Sequence, residues 1–236
     1  MSITAAVIGK KLEALGDPDA ALFAQRFFKT GAGEYGEGDI FRGIRVPVLR
    51  KLCGTLDDMA LQEVMLLLAS VYHEDRLLAL LLLMRRFHRG EESDKEVIYD
   101  LYLTHTQHIN NWDLVDISAG HIVGRFLEFR DRAPLYKLVH SARLWERRIA
   151  IIATFHFIRH GEIDDTLALA ELLLDDREEL IHKASGWMLR EVGKRDMEAL
   201  EGFLLKHYAQ MPRVMLRYAI ERFPEERRRQ YLKGTV

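Results

Sequence analysis

The sequence predicts an all-α protein assembled from stacked helical hairpins, and three observations predict it. Apolar residues recur at helical spacing from end to end. The alternation of β-branched residues that marks strands is almost absent. The second helix of each hairpin recurs at a near-constant interval, beginning at about 74, 112, 145, 179 and 212, or every 38, 33, 34 and 33 residues by subtraction.

Taken in order, residues of about 3–15 and 19–29 read as two amphipathic helices separated by Gly16-Asp17-Pro18, whose Asp and Pro suit a helix start. Gly31, Gly33, Gly36 and Gly38 then make Thr30 to Asp39 a flexible loop, and Gly43 and Pro47 mark a connector before a helix through Arg50 and Lys51. Five helix pairs follow: 59–70 with 74–89, 94–107 with 112–127, 133–140 with 145–160, 164–175 with 179–193, and 196–208 with 212–223. The region from Pro224 through Arg227-Arg228-Arg229 reads as a polar cap or tail. The expectation is one domain over 1–236, with N-terminal helices and loop in 1–55, five pairs in 59–223 and a cap in 224–236. Its architecture is a HEAT-like solenoid, a curved α-α superhelix whose inner helices line a concave groove.

Composition excludes several classes. The formal net charge of −2 argues against a protein that coats nucleic acid indiscriminately, because that needs many phosphate contacts. Charge is nevertheless uneven: between residues 20 and 52 six basic side chains face three acidic ones. No basic segment leads into an apolar stretch at the N-terminus, and the longest aliphatic run, Leu77 to Met84, is too short to span a bilayer. A cytoplasmic protein with no membrane partner is expected. Lone Cys53, among Val48, Leu49 and Leu52, reads as a buried thiol rather than a nucleophile.

Chemistry concentrates in Asn110-Asn111-Trp112-Asp113-Leu114-Val115-Asp116. Asn110 or Asn111 can cap a helix there and Asp113 suits its first turn. Trp112 and Asp116, four apart, share one face. Asp116 is followed by Ile117, Ala119, Ile122 and Val123, so its carboxylate is either paired in the interior or faces a cavity that uses it. Later second helices carry Trp145, Arg147 and Arg148, then Lys183 and Trp187, then Arg213 and Arg217. Equivalent positions of a solenoid fall side by side. Periodicity alone therefore predicts a stripe of Trp, Asp, Arg and Lys, with cations for phosphates and flat rings for sugars or bases. Trp187, within Ala184-Ser185-Gly186-Trp187-Met188-Leu189, reads equally as a core aromatic at a tight helix contact.

Three segments, Asn111 to Asp116, Trp145 to Ala150 and Lys183 to Glu191, resemble those of the AlkD-type DNA alkylation repair proteins, HEAT-like alkylpurine DNA glycosylases. Phe41-Arg42-Gly43-Ile44-Arg45-Val46-Pro47 is similar to their N-terminal region. The resemblance implies that Trp112 and Trp187 flank the lesion's sugar, that Asp116 is the catalytic carboxylate, and that Arg148 holds backbone phosphate. The expected DNA-binding set also takes in Lys183 and Arg213 from the periodic stripe, together with Arg190 and Phe27; the expected partner is double-stranded DNA carrying alkylated bases, bound by a monomer, with no cofactor. The position matching a family Tyr is Phe27, which lacks the hydroxyl of a possible phosphate contact, and the Gly-rich loop containing Tyr35 is long. Both mark a divergent subgroup.

Other readings fit less well. The Gly-rich loop lacks a Gly-Lys-Ser/Thr ending and a preceding strand, so it does not read as a phosphate cradle. His156 and His160 sit one turn apart, but no third ligand is apparent and no metal is expected. No Gly-x-Ser-x-Gly elbow is present. Lys183 could suggest strand cleavage through a Schiff base, but equally a phosphate contact. The serious alternative is a non-enzymatic HEAT-repeat module that binds DNA structures or a protein; such a scaffold has no need of a carboxylate between two tryptophans.

Overall fold

Side-chain caps set where a few of the helices start. Thr4 accepts the Val7 amide and opens α1 (Ala5–Leu15), and Asp17 accepts the Asp19 and Ala20 amides ahead of Pro18 to open α2 (Pro18–Phe27). The computed structural model describes residues 3–236, and every regular element among them is helical, with Ile40 and Tyr72 forming an isolated parallel bridge. None of these helices is long and apolar enough to cross a membrane.

The chain forms two compact units, one ending at Leu114 and the other running Val115–Val236. The first contains α1, α2, α3 (Val46–Cys53), α4 (Leu61–Leu68), α5 (His73–Arg89) and α6 (Glu92–Thr104). Here α5 is the central element, with α3, α4 and α6 packed on it and α1 packed on α4. It is buried nearly all round, from His73 to Leu83, which is why this helix carries the long aliphatic run. Cys53 is buried at the end of α3, and burial pushes its thiol up.

Helix α7 (Trp112–Ala119) runs across the unit boundary and continues as a π-helical segment, Gly120–Gly124. The second unit then contains α8 (Ala133–Leu138), α9 (Leu144–Arg159), α10 (Asp164–Leu172), α11 (Glu179–Gly193), α12 (Met197–His207), α13 (Arg213–Ala219) and α14 (Glu225–Lys233). Its second helices lie side by side in chain order, the π segment on α9, α9 on α11 and α11 on α13. The first helices cover them: α8 and α10 on α9, α10 and α12 on α11. The five second helices begin at 73, 112, 144, 179 and 213, each within one residue of the start expected from the repeat.

Two local features differ from expectation. The uninterrupted helix expected to 127 widens into the π turn at Gly120. The region after Pro224 is helix α14, anchored by Tyr231, which is buried and meets Phe223 and Tyr208 edge-on. Gly186 marks the closest approach of α11 and α13: a Cβ there would lie 2.4 Å from the Met215 carbonyl oxygen and 2.6 Å from Tyr218 Cβ. Gly186→Ala therefore forces the two helices apart, with an expected loss of about 1–3 kcal/mol, measured as a lower denaturant midpoint.

Candidate active site

In the first unit the site is built from the loop before α3 and the start of α5. Glu74 accepts the backbone amides of Arg42, Gly43 and Ile44 at 2.7–3.1 Å, while Asp75 takes a two-point ion pair from Arg42 at 2.7 and 3.0 Å. Gly43 is required at its turn: φ is +79° and a Cβ would stand 2.1 Å from the Asp17 carbonyl oxygen. The Phe41-Arg42-Gly43 stretch is thus the strap that binds the connector to α5.

The Gly-rich loop ends in a buried acid. Asp39, expected in a flexible loop, is 5% exposed. It accepts from Arg76 at 2.7 Å and Asn110 at 2.8 Å, with Asn111 and His73 at 3.3 Å. Desolvation pushes the Asp39 carboxyl up, but the contacts with His73, Arg76 and Asn110 outweigh it and hold it below its ordinary value. His73, also buried, bridges onward to Asp113 at 2.8 Å. Burial pulls the His73 imidazole down; its bonds to Asp113 and Asp39 prevail and push it up to about 9. Two acids on either side thus keep the ring charged at neutral pH. The Asn111 side chain accepts the Trp112 amide and Asp113 accepts that of Leu114, each the amide of the very next residue at the start of α7.

These groups fix Trp112 through an aromatic column. Trp112 stacks on Phe28 with centroids 5.3 Å apart, Phe28 on Phe41 at 5.0 Å, and Phe41 on His73 at 4.5 Å. Phe27 meets Trp112 edge-on at 6.0 Å and is 54% exposed, so it presents an apolar edge beside the indole. Phe28, Phe41, His73 and Asp39 were not among the sequence candidates. The only local signal was an ionisable His73-Glu74-Asp75-Arg76 run leading into an aliphatic helix, a pattern that needs buried partners elsewhere.

In the second unit Asp116 and Arg148 form a two-point ion pair, Nε and Nη2 each 2.8 Å from a carboxylate oxygen. The third guanidinium nitrogen, Nη1, donates to the Leu180 carbonyl at 2.5 Å. The Arg148 side chain is 5% exposed and that of Asp116 18%. Of the two openings left for Asp116, interior pairing is realised, with a residual exposed edge. Arg148, expected on phosphate, is held inward as the clamp on Asp116. Arg147 plays the matching role one residue earlier, paired with Asp176 at 2.6 Å.

Trp187 is half-buried on α11; its ring lies 5.9 Å from that of Phe155 and its Nε1 donates to Glu191 at 3.2 Å. The tight packing in its segment falls to Gly186, not to the indole. Arg190 pairs with Glu191 and Glu221, and Arg213 donates to the Leu232 carbonyl at 2.9 Å. Lys183 pairs with Glu179 one turn earlier and is 35% exposed, an arrangement that holds an ammonium loosely. His156 and His160 are joined by Glu128, a third possible metal ligand that the sequence does not reveal.

The DNA alkylation repair enzyme family model matches residues 8–223, and the chain belongs to that family. Its place is therefore in DNA alkylation repair, with DNA as the partner that role implies. Among solved structures, the fold is shared by a predicted DNA alkylation repair enzyme from Enterococcus faecalis, with a TM-score of 0.69 and 17% identity over 89% of this chain and 97% of that one. No curated protein matches the chain.

Proposed function

We propose that the protein is a monofunctional glycosylase that removes cationic N3- and N7-alkylated purines, such as 3-methyladenine and 7-methylguanine, from duplex DNA. The observation that supports this reading best is the Asp116 carboxylate, gripped at two points by Arg148 yet still partly open, on the helix that Trp112 begins. An N3- or N7-alkylated purine already carries positive charge, so it departs as a neutral base and needs no proton from a general acid. The transition state gathers positive charge on the deoxyribose instead. Asp116 opposes that charge and orients the attacking water, and the faces of Trp112 and Trp187 favour a cationic sugar. Arg148 is assigned a positioning role: its fork denies Asp116 alternative rotamers, so the carboxylate is oriented before the substrate arrives. All of these groups address the sugar, which suits a base left in or near the duplex rather than drawn into a deep pocket. One chain suffices, and we place the activity in the cytoplasm.

The test is release of free 7-methylguanine and 3-methyladenine from methylated duplex DNA by the full chain. Release supports the glycosylase. DNA binding without release would replace it with a non-enzymatic DNA-binding module. In the same preparations Lys183→Ala is expected to weaken DNA binding and reduce the slope of log K against log salt by about 1, as the loss of one phosphate contact requires. An unchanged slope would return Lys183 to its helix-surface pair with Glu179.

A further inference from the structure

We propose that Glu128, His156 and His160 form a binding site for a transition-metal dication of the zinc class, which pins the turn that follows the π-helical segment to the C-terminal end of α9. The ligand atoms of the three side chains all lie within 4.8 Å of one another. His156 Nε2 is 3.1 Å from one Glu128 oxygen and His160 Nε2 is 3.8 Å from the other. Tetrahedral coordination at bond lengths of about 2.0–2.1 Å sets neighbouring ligands about 3.4 Å apart, so the group needs only small side-chain rotations. The half-exposed His160 is free to supply them.

Two further observations point to a ligand. His156 Nε2 is buried and completes no hydrogen bond, although a Glu128 oxygen stands 3.1 Å away. With the side chain only 10% exposed, an unsatisfied ring nitrogen is aimed at a carboxylate in the interior. His160 Nδ1 meets the His156 carbonyl at 2.8 Å, the outer hydrogen bond that leaves Nε2 as the lone-pair nitrogen of a metal-binding imidazole. Two imidazoles and one carboxylate favour zinc-like ions over magnesium or calcium, and three protein ligands leave one position open to water.

The placement follows from Gly124. A Cβ at that position would lie 2.2 Å from the Ala153 carbonyl oxygen and 2.8 Å from His156 Cβ, so only glycine lets the π turn approach α9 closely enough to bring Glu128 over the two histidines. The same α9 carries Arg148, so a bound ion ties down the helix that orients Asp116.

The experiment uses the tag-free full chain, stripped with a chelator and titrated with Zn²⁺ by calorimetry and with Co²⁺ by visible absorption, alongside His160→Ala and Glu128→Gln. One ion per chain is expected, with Co²⁺ bands of tetrahedral type and an affinity at least tenfold lower in each variant. With free Zn²⁺ about a hundredfold above Kd the melting midpoint should rise by about 5–10 °C in wild type and not in the variants. His160 is half exposed and its removal leaves the fold intact, which far-UV circular dichroism checks. Failure of the stripped wild type to bind either ion, or equal affinity in the folded variants, overturns the site.

Discussion

Asp116→Asn is expected to leave a folded protein whose release of 7-methylguanine falls by at least about 100-fold, the scale on which removing one preorganised electrostatic group slows an enzyme. Asparagine keeps the shape and an acceptor for Arg148, but it removes the negative charge that faces the developing cation. The substitution also leaves the Arg148 guanidinium, 5% exposed, without its counter-charge. Some loss of stability therefore accompanies the loss of rate, about 1–3 kcal/mol. Single-turnover release, measured well below the variant's melting midpoint, separates the two effects. Wild-type rates in a folded Asp116→Asn would dismiss the carboxylate from catalysis and leave the Asp116–Arg148 pair as a structural tie between α7 and α9.

The second large effect falls on His73. Its imidazole is raised from an ordinary value of 6.5 to about 9 by the two acids that hold it. A group raised on folding contributes stability fully below its unfolded value and loses it as pH climbs through the folded one. Stability should thus decline between about pH 6.5 and 9, by on the order of 3 kcal/mol in all. His73→Ala should cost a similar amount at pH 6.5, because Asp39 and Asp113 both lose a charged donor, and should abolish the decline. Denaturant titrations of the two proteins at pH 6.5, 7.5 and 9 measure it. Parallel pH profiles would mean that the imidazole is neutral in the folded chain.

The helical hairpins were legible because each is written locally: a 3.6-residue apolar stripe with Gly, Pro or Asp at its ends fixes helix starts to within a residue or two. The residues of the candidate site were legible as types at repeated positions, Trp112, Asp116, Arg148 and Trp187 among them. Their pairings were not. That Arg148 turns inward to Asp116 depends on which cation of α9 lies opposite a carboxylate 32 residues earlier, and no periodicity encodes this. Asp39 in a glycine-rich loop reads as solvated until the fold places His73, Arg76 and Asn110 around it. The π turn at Gly120–Gly124 is hidden for another reason: its apolar pattern is compatible with an α-helix, and its partner, α9, is distant in sequence.

The position of Asp39 also bears on how the chain is made. During synthesis this acid emerges 71 residues ahead of Asn110 and 72 ahead of Asn111, the donors that complete its shell. Until then Asp39 can pair with Arg76 and His73 but lacks its two asparagine donors, so the loop and α5 close with an incomplete polar shell. The first unit, which ends at Leu114, is therefore completed only when the opening turn of α7 has left the ribosome, and chains cut short before residue 110 are candidates for recognition by chaperones rather than for independent folding.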